Sequence, residues 1–124
     1  MFRPVVPLAA LALVLVLLAS VSGTGAHAAL ARSEPRAGAT LGRAPSAVRL
    51  WFTGDLEPAF GRLRVLDAAG ARVDRDDARV DRNDRTLLRA TLGPLPPGRY
   101  RVLWRVVSVD SHVTEGEFGF RVAP

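Results

Sequence analysis

The chain has 124 residues, no cysteine, a formal net charge of +5 and 48% hydrophobic residues. This length suits one small domain, and the lack of thiols excludes a disulfide scaffold, an iron–sulfur site, a thiolate zinc site and a cysteine nucleophile. All 17 basic residues are arginines, set against 12 acids with the signs interleaved, so nucleic-acid binding is not expected.

Residues 8–18 are uniformly apolar, with Arg3 before them and the small residues Ser20, Ser22, Gly23, Thr24, Gly25 and Ala26 after. This is the layout of a secretory signal peptide, and the run is shorter than the roughly 20 residues that span a bilayer. Cleavage after Ala26 makes 1–26 the signal and 27–124 the mature domain, which then works in the periplasm or elsewhere outside the cytoplasm. Ala26-His27-Ala28 is a competing A-x-A match that would move the cut behind Ala28.

Beyond residue 46 the apolar residues alternate with polar ones in short runs. Val48, Leu50 and Phe52 share one parity, as do Leu63 and Val65, and the turn-like Asp67-Ala-Ala-Gly70 follows. Ala-Arg-Val-Asp-Arg-Asp-Asp (71–77) is then repeated at once as Ala-Arg-Val-Asp-Arg-Asn-Asp (78–84). With one Val per copy the repeat cannot build a coiled-coil seam, and without Gly it is no calcium loop. A duplicated polar strand or loop facing water is expected. Leu88, Ala90 and Leu92 form the next inward set, and Gly93-Pro-Leu-Pro-Pro-Gly98 ends it. Tyr100, Val102, Trp104 and Val106 share a face, and Phe118, Phe120 and Val122 close the chain. Period two throughout, with Gly and Pro punctuation, predicts an all-β protein: a Greek-key sandwich of about seven strands. Gly98-Arg-Tyr100 after a Pro-rich turn predicts a tyrosine corner, with the phenol bonded back to the chain.

The only histidines are His27 and His112. Gly-x-Ser-x-Gly, a phosphate loop, His-Glu-x-x-His and a dinucleotide fingerprint are all missing, so an enzyme is not expected. A metal site is the better reading. Cutting after Ala26 gives His27 a free α-amine beside its imidazole, a ready chelate. Asp110 and His112, two apart, leave an extended backbone on one face. Three nitrogens and one carboxylate oxygen suit tetragonal Cu(II). An exposed terminal histidine and an ordinary Asp-Ser-His turn account for the same residues without a metal.

The order His27-Ala-Ala-Leu30, Ser33-Glu-Pro35, Gly38-Ala, Pro45-Ser-Ala-Val-Arg-Leu-Trp-Phe52, Leu63-Arg-Val65, Gly98-Arg-Tyr100 and Trp104-Arg-Val-Val-Ser108-Val-Asp110-Ser-His112 resembles the CopC family of bacterial periplasmic copper proteins. The resemblance runs through the whole mature chain. It implies an immunoglobulin/cupredoxin-like β-sandwich binding one Cu(II) through His27, Asp110 and His112. It further implies a monomeric, non-catalytic copper carrier or buffer that serves resistance or delivers to a CopD-like membrane importer. Two departures stand out. The Arg-Asp repeat occupies the place of the Met-rich Cu(I) loop of some members. Gly54-Asp55 follows Phe52-Thr53 where others carry an acid directly, which leaves an auxiliary carboxylate open. The rival readings are a copper-dependent oxygenase with an N-terminal His chelate and a metal-free β-sandwich interaction module.

Overall fold

The computed structural model describes residues 28–124. His27 and the expected signal segment 1–26 lie outside these residues. The described chain forms eight strands: β1 (Leu30–Glu34), β2 (Thr40–Leu41), β3 (Ala47–Phe52), β4 (Arg62–Leu66), β5 (Arg79–Val80), β6 (Leu87–Thr91), β7 (Gly98–Val107) and β8 (Val113–Val122). A 3₁₀ turn, Pro58–Phe60, precedes β4. The strands make two four-stranded sheets, β1-β3-β6-β5 and β2-β8-β7-β4. All pairs are antiparallel except β2 with β8. The chain crosses between sheets at every connection except β5–β6 and β7–β8, so the all-β sandwich expected from the alternation is the observed fold. Among the described residues no helix is long and apolar enough to cross a membrane.

The predicted parities are the inner faces. Val48, Leu50, Phe52, Leu63, Val65, Leu88, Ala90, Leu92, Tyr100, Val102, Val106, Phe120 and Val122 are buried, while Trp104 and Phe118 are half-buried against them. Burying such side chains contributes about 1.5–3 kcal/mol each before chain entropy is subtracted. Phe52 of one sheet meets the edge of Trp104 of the other at 5.2 Å and 74°. Gly116, opposite Trp104 in the β7–β8 ladder, makes room for the indole: a Cβ there would lie 2.7 Å from its ring. The expected tyrosine corner is present, with the Tyr100 hydroxyl donating to the Pro96 carbonyl and the ring stacked on Phe120.

The repeat departs from the expectation of a wholly solvated tract. Its first copy runs along the outer side of β4, where the Val73 amide bonds the Val65 carbonyl at 2.8 Å. The Arg75 amide then reaches the Thr91 carbonyl in the other sheet at 2.9 Å. Asp74 turns inward, its side chain 0% exposed. It accepts from the Val65 amide at 2.8 Å, from Arg72 Nε at 2.9 and 3.0 Å and from the Asp76 amide at 3.1 Å. The edge-strand amide of Val65 needs an acceptor, and a period-two reading has no means of seeing that demand. Burial pushes the Asp74 carboxyl up, but its bonds to Arg72, Val65 and Asp76 and the Arg72 charge outweigh that and hold it below its usual value.

Two tests follow. Gly116→Ala is expected to cost about 1–3 kcal/mol by overpacking the indole, read as a lower denaturation midpoint. Asp74, with its folded pKa depressed, contributes stability that is complete above its unfolded value of 3.8 and is lost as pH falls from there through the folded value. Asp74→Asn should therefore flatten the acid limb of the stability–pH curve, and an unchanged limb would remove Asp74 from the acid response.

Candidate metal centre

The β7–β8 ladder is continuous from Gly98↔Val122 to Val107↔Val113, so Ser108–His112 is the loop left over where pairing stops. Two backbone bonds close it, Ser108 N–H to the His112 carbonyl and Ser111 N–H to the Ser108 carbonyl, each 2.9 Å. Ser111 takes a left-handed conformation, φ 71°, to complete the turn. Ser108 is buried at the base, and its hydroxyl donates to Asp110 Oδ1. The Ser108 Oγ in turn accepts from the His112 amide at 3.3 Å.

The structure brings together the two predicted donors that lie within the described residues. His112 Nδ1 is 3.0 Å from Asp110 Oδ2, with both residues at the surface. Asp110 and His112 do so in a tight turn, not on the extended backbone that the sequence reading assumed. The Ser108 hydroxyl lowers the Asp110 carboxyl below its usual value; desolvation opposes it, and the His112 imidazole adds smaller lowering contributions. The carboxylate is thus ionised and pre-aimed at neutral pH. With Nδ1–H directed at Asp110, the lone pair of the imidazole lies on Nε2. Ser108 sends its proton to the carboxylate and not to the imidazole, which is not the wiring of an activated serine nucleophile.

Among the described residues there is no cluster of three or more His, Cys, Asp or Glu, so the donors found there stop at this pair. What the structure adds is the path of the chain toward it. Ala28 is fully buried, and its carbonyl accepts from the Thr114 hydroxyl, two residues beyond His112, at 2.9 Å. Ala29 and Thr53 exchange bonds, Ala29 N–H to Thr53 Oγ1 at 3.0 Å and Thr53 N–H to the Ala29 carbonyl at 2.8 Å. Leu56 bridges Ser108, and the Val109 amide bonds the Asp55 carbonyl at 3.1 Å. Asp55 is therefore tied to the loop by its backbone, while a Cβ on Gly54 would meet nothing within 4 Å. Sequence reasoning missed the supporting roles of Ser108, Thr53 and Thr114. Ser108 stood inside the motif that was singled out, but a lone hydroxyl carries no periodic signal.

A CopC domain model matches residues 30–123. The chain belongs to the CopC family. Its relatives include Protein YobA of Escherichia coli K12, 35% identical over 98 residues, spanning 78% of this chain and 79% of that protein. CopC from Methylosinus trichosporium OB3b superimposes with a TM-score of 0.74 at 33% identity, covering 79% of this chain and 95% of that one. PcoC of Escherichia coli, described as a methionine-rich copper resistance protein, gives 0.67 at 30% identity over 78% and 99%. CopC proteins are copper-binding resistance proteins and not enzymes, which sets the copper-handling role and removes the oxygenase reading. Unlike the methionine-rich PcoC, this chain has one methionine, Met1.

Thr114→Val, which keeps the shape and deletes the hydroxyl, should cost about 1 kcal/mol and speed amide exchange at Ala29. Unchanged exchange there would show that the Thr114–Ala28 contact does not hold the N-terminal segment.

Proposed function

We propose that the chain is exported, cut after Ala26, and acts outside the cytoplasm as a one-site Cu(II) carrier or buffer. Copper is the cargo. The donors are the α-amine and imidazole of His27, the carboxylate of Asp110 and the imidazole of His112, and a CopD-like membrane importer is the recipient. The observation that carries the reading is the Asp110–His112 contact at 3.0 Å beside the point where Ala28 is tied to Thr114. The contact orients the two side chains together, and with Nδ1–H given to Asp110 the Nε2 lone pair of His112 is the one offered to a metal. The residue before Ala28 is His27, and Thr114 begins only two residues after His112. Hard nitrogen and oxygen donors, with no thiol or thioether, favour Cu(II) over Cu(I).

The decisive comparison is between chains that begin at His27, Ala26 and Ala29. Before cleavage the His27 nitrogen is an amide, its lone pair delocalised into the carbonyl, and is a far poorer donor than the free amine. The chain starting at His27 should bind one Cu(II) tightly and the other two more weakly by orders of magnitude. Equal affinities would remove His27 and its amine from the site. Nitrogen donors must be deprotonated to ligate, so protons compete with the metal and Cu(II) affinity should fall steeply on acidification. An affinity flat from about pH 7 to 5 would assign the metal to carboxylates alone.

A further inference from the structure

The two copies of the heptad have different electrostatic fates. In the first, Arg72 is neutralised twice, by Asp74 at 2.9 Å and by Asp76 at 3.0 Å. The second copy repeats these residues with one change, Asn83 where the first has Asp76. Arg79, the counterpart of Arg72, therefore has no carboxylate four residues on.

The acids near it are engaged elsewhere. Asp81 Oδ2 accepts from the Asn83 and Asp84 amides at 2.9 and 3.0 Å, and its Oδ1 lies 3.4 Å from Arg89 Nη2. Asp84 accepts from the Thr86 amide and hydroxyl at 3.0 and 2.6 Å. Asp77, which feels the charge of Arg79 at a distance, is held by the Thr91 amide and hydroxyl at 2.8 and 2.6 Å.

What remains is an open groove of about 720 Å³ in which Arg79, Arg82, Arg85 and Arg89 surround Asp81 and Asn83. Four guanidinium groups thus meet one carboxylate. Arg79 stands directly opposite Arg89, and Arg89 directly opposite Arg49 on the next strand. Like charges facing each other across paired strands are repulsive. The Nε–H of Arg89 is buried and has no acceptor among the described residues. The repulsion among these arginines is relieved by an anion in the groove. Guanidinium forks match oxyanions in paired hydrogen bonds, and a compact, multiply charged oxyanion serves several forks at once where a carboxylate brings a single charge.

We propose that this groove binds a phosphate-class oxyanion, either free or as a phospholipid headgroup. It uses none of the copper donors. Pro58 lines it and the Leu56 amide bonds the Arg85 carbonyl at 2.9 Å, so residues 55–58 separate it from the metal loop.

The test is calorimetry of the copper-free protein at low ionic strength, with inorganic phosphate, phosphatidylcholine vesicles with and without phosphatidylglycerol, and a glutamate-rich peptide as probes. Asn83→Asp, which restores the carboxylate of the first copy at an exposed position, should weaken binding about tenfold. Arg85→Gln should weaken it similarly, while Arg99→Gln, on the opposite sheet, should leave it unchanged. Cu(II) affinity should be the same in all three variants. Binding of phosphate supports the free anion, and binding of phosphatidylglycerol vesicles alone supports the headgroup. The proposal is overturned if neither probe binds, if Arg99→Gln weakens binding as much as Asn83→Asp, or if the peptide binds as tightly as phosphate.

Discussion

With no cysteine in the chain, no disulfide joins the two sheets, and the main contact between them is side-chain packing. Everything at the surface depends on that contact. It runs from the stacked Tyr100 and Phe120 at one end to Phe52 against Trp104 toward the other. The indole meets the opposite sheet because Gly116 leaves it space, and its own Nε1–H is buried with no acceptor among the described residues. That loss is outweighed only if the ring fills the interface well, so the packing tolerates little displacement there. A fixed Trp104–Gly116 step in turn fixes the β7–β8 register, and the register decides which five residues are left to form the loop.

The loop is then held from three sides. Ser108 anchors it from below, the Asp55–Leu56 backbone binds it laterally, and Thr114 ties the N-terminal segment beside it. The backbone is thus constrained while the Asp110 and His112 side chains stay exposed. A carrier requires that combination. Fixed donors reduce the ordering cost of taking up an ion, and exposure leaves a route for another protein to remove it. A catalytic copper site would instead need a shaped, water-excluding pocket, and Asp110 and His112 lie at the surface.

The sandwich was legible because its information is one-dimensional: a strand with one wet face writes its burial into alternate residues, as Val48, Leu50 and Phe52 do. The two-residue strands β2 and β5 were not legible, since two residues carry no period. Asp74 was misread for a related reason. Its burial answers an unpaired amide on Val65, nine residues earlier, and composition reports only that the tract is charged. The proposed donors Asp110 and His112 were paired through a geometry that does not hold. Alternation on a strand would bring Asp110 and His112 to one face, but the residues sit in a turn, and their side chains converge because Ser111 reverses the backbone. The spacing of two was informative in both geometries. The donor expected from His27 depends on a cleavage event, which is chemistry and not fold.

The duplicated heptad shows how little sequence separates a structural element from a reactive surface. Its first copy covers the exposed edge of β4 and crosses to Thr91, closing one side of the sandwich with an inward-pointing carboxylate that also discourages edge-to-edge pairing. For that task Arg72 has to be neutral in context, and Asp74 with Asp76 make it so. The second copy has no such task, because β5 already pairs with β6 through Arg79 and Val80. Nothing in the packing then demands an acid at its sixth position, and Asn83 leaves the arginines uncompensated. A charge imbalance on an otherwise interleaved surface costs stability, and four arginines around one groove concentrate that cost in a single place. The proposed copper donors and this groove draw on different strands and loops, so the one could change through substitution without disturbing the other.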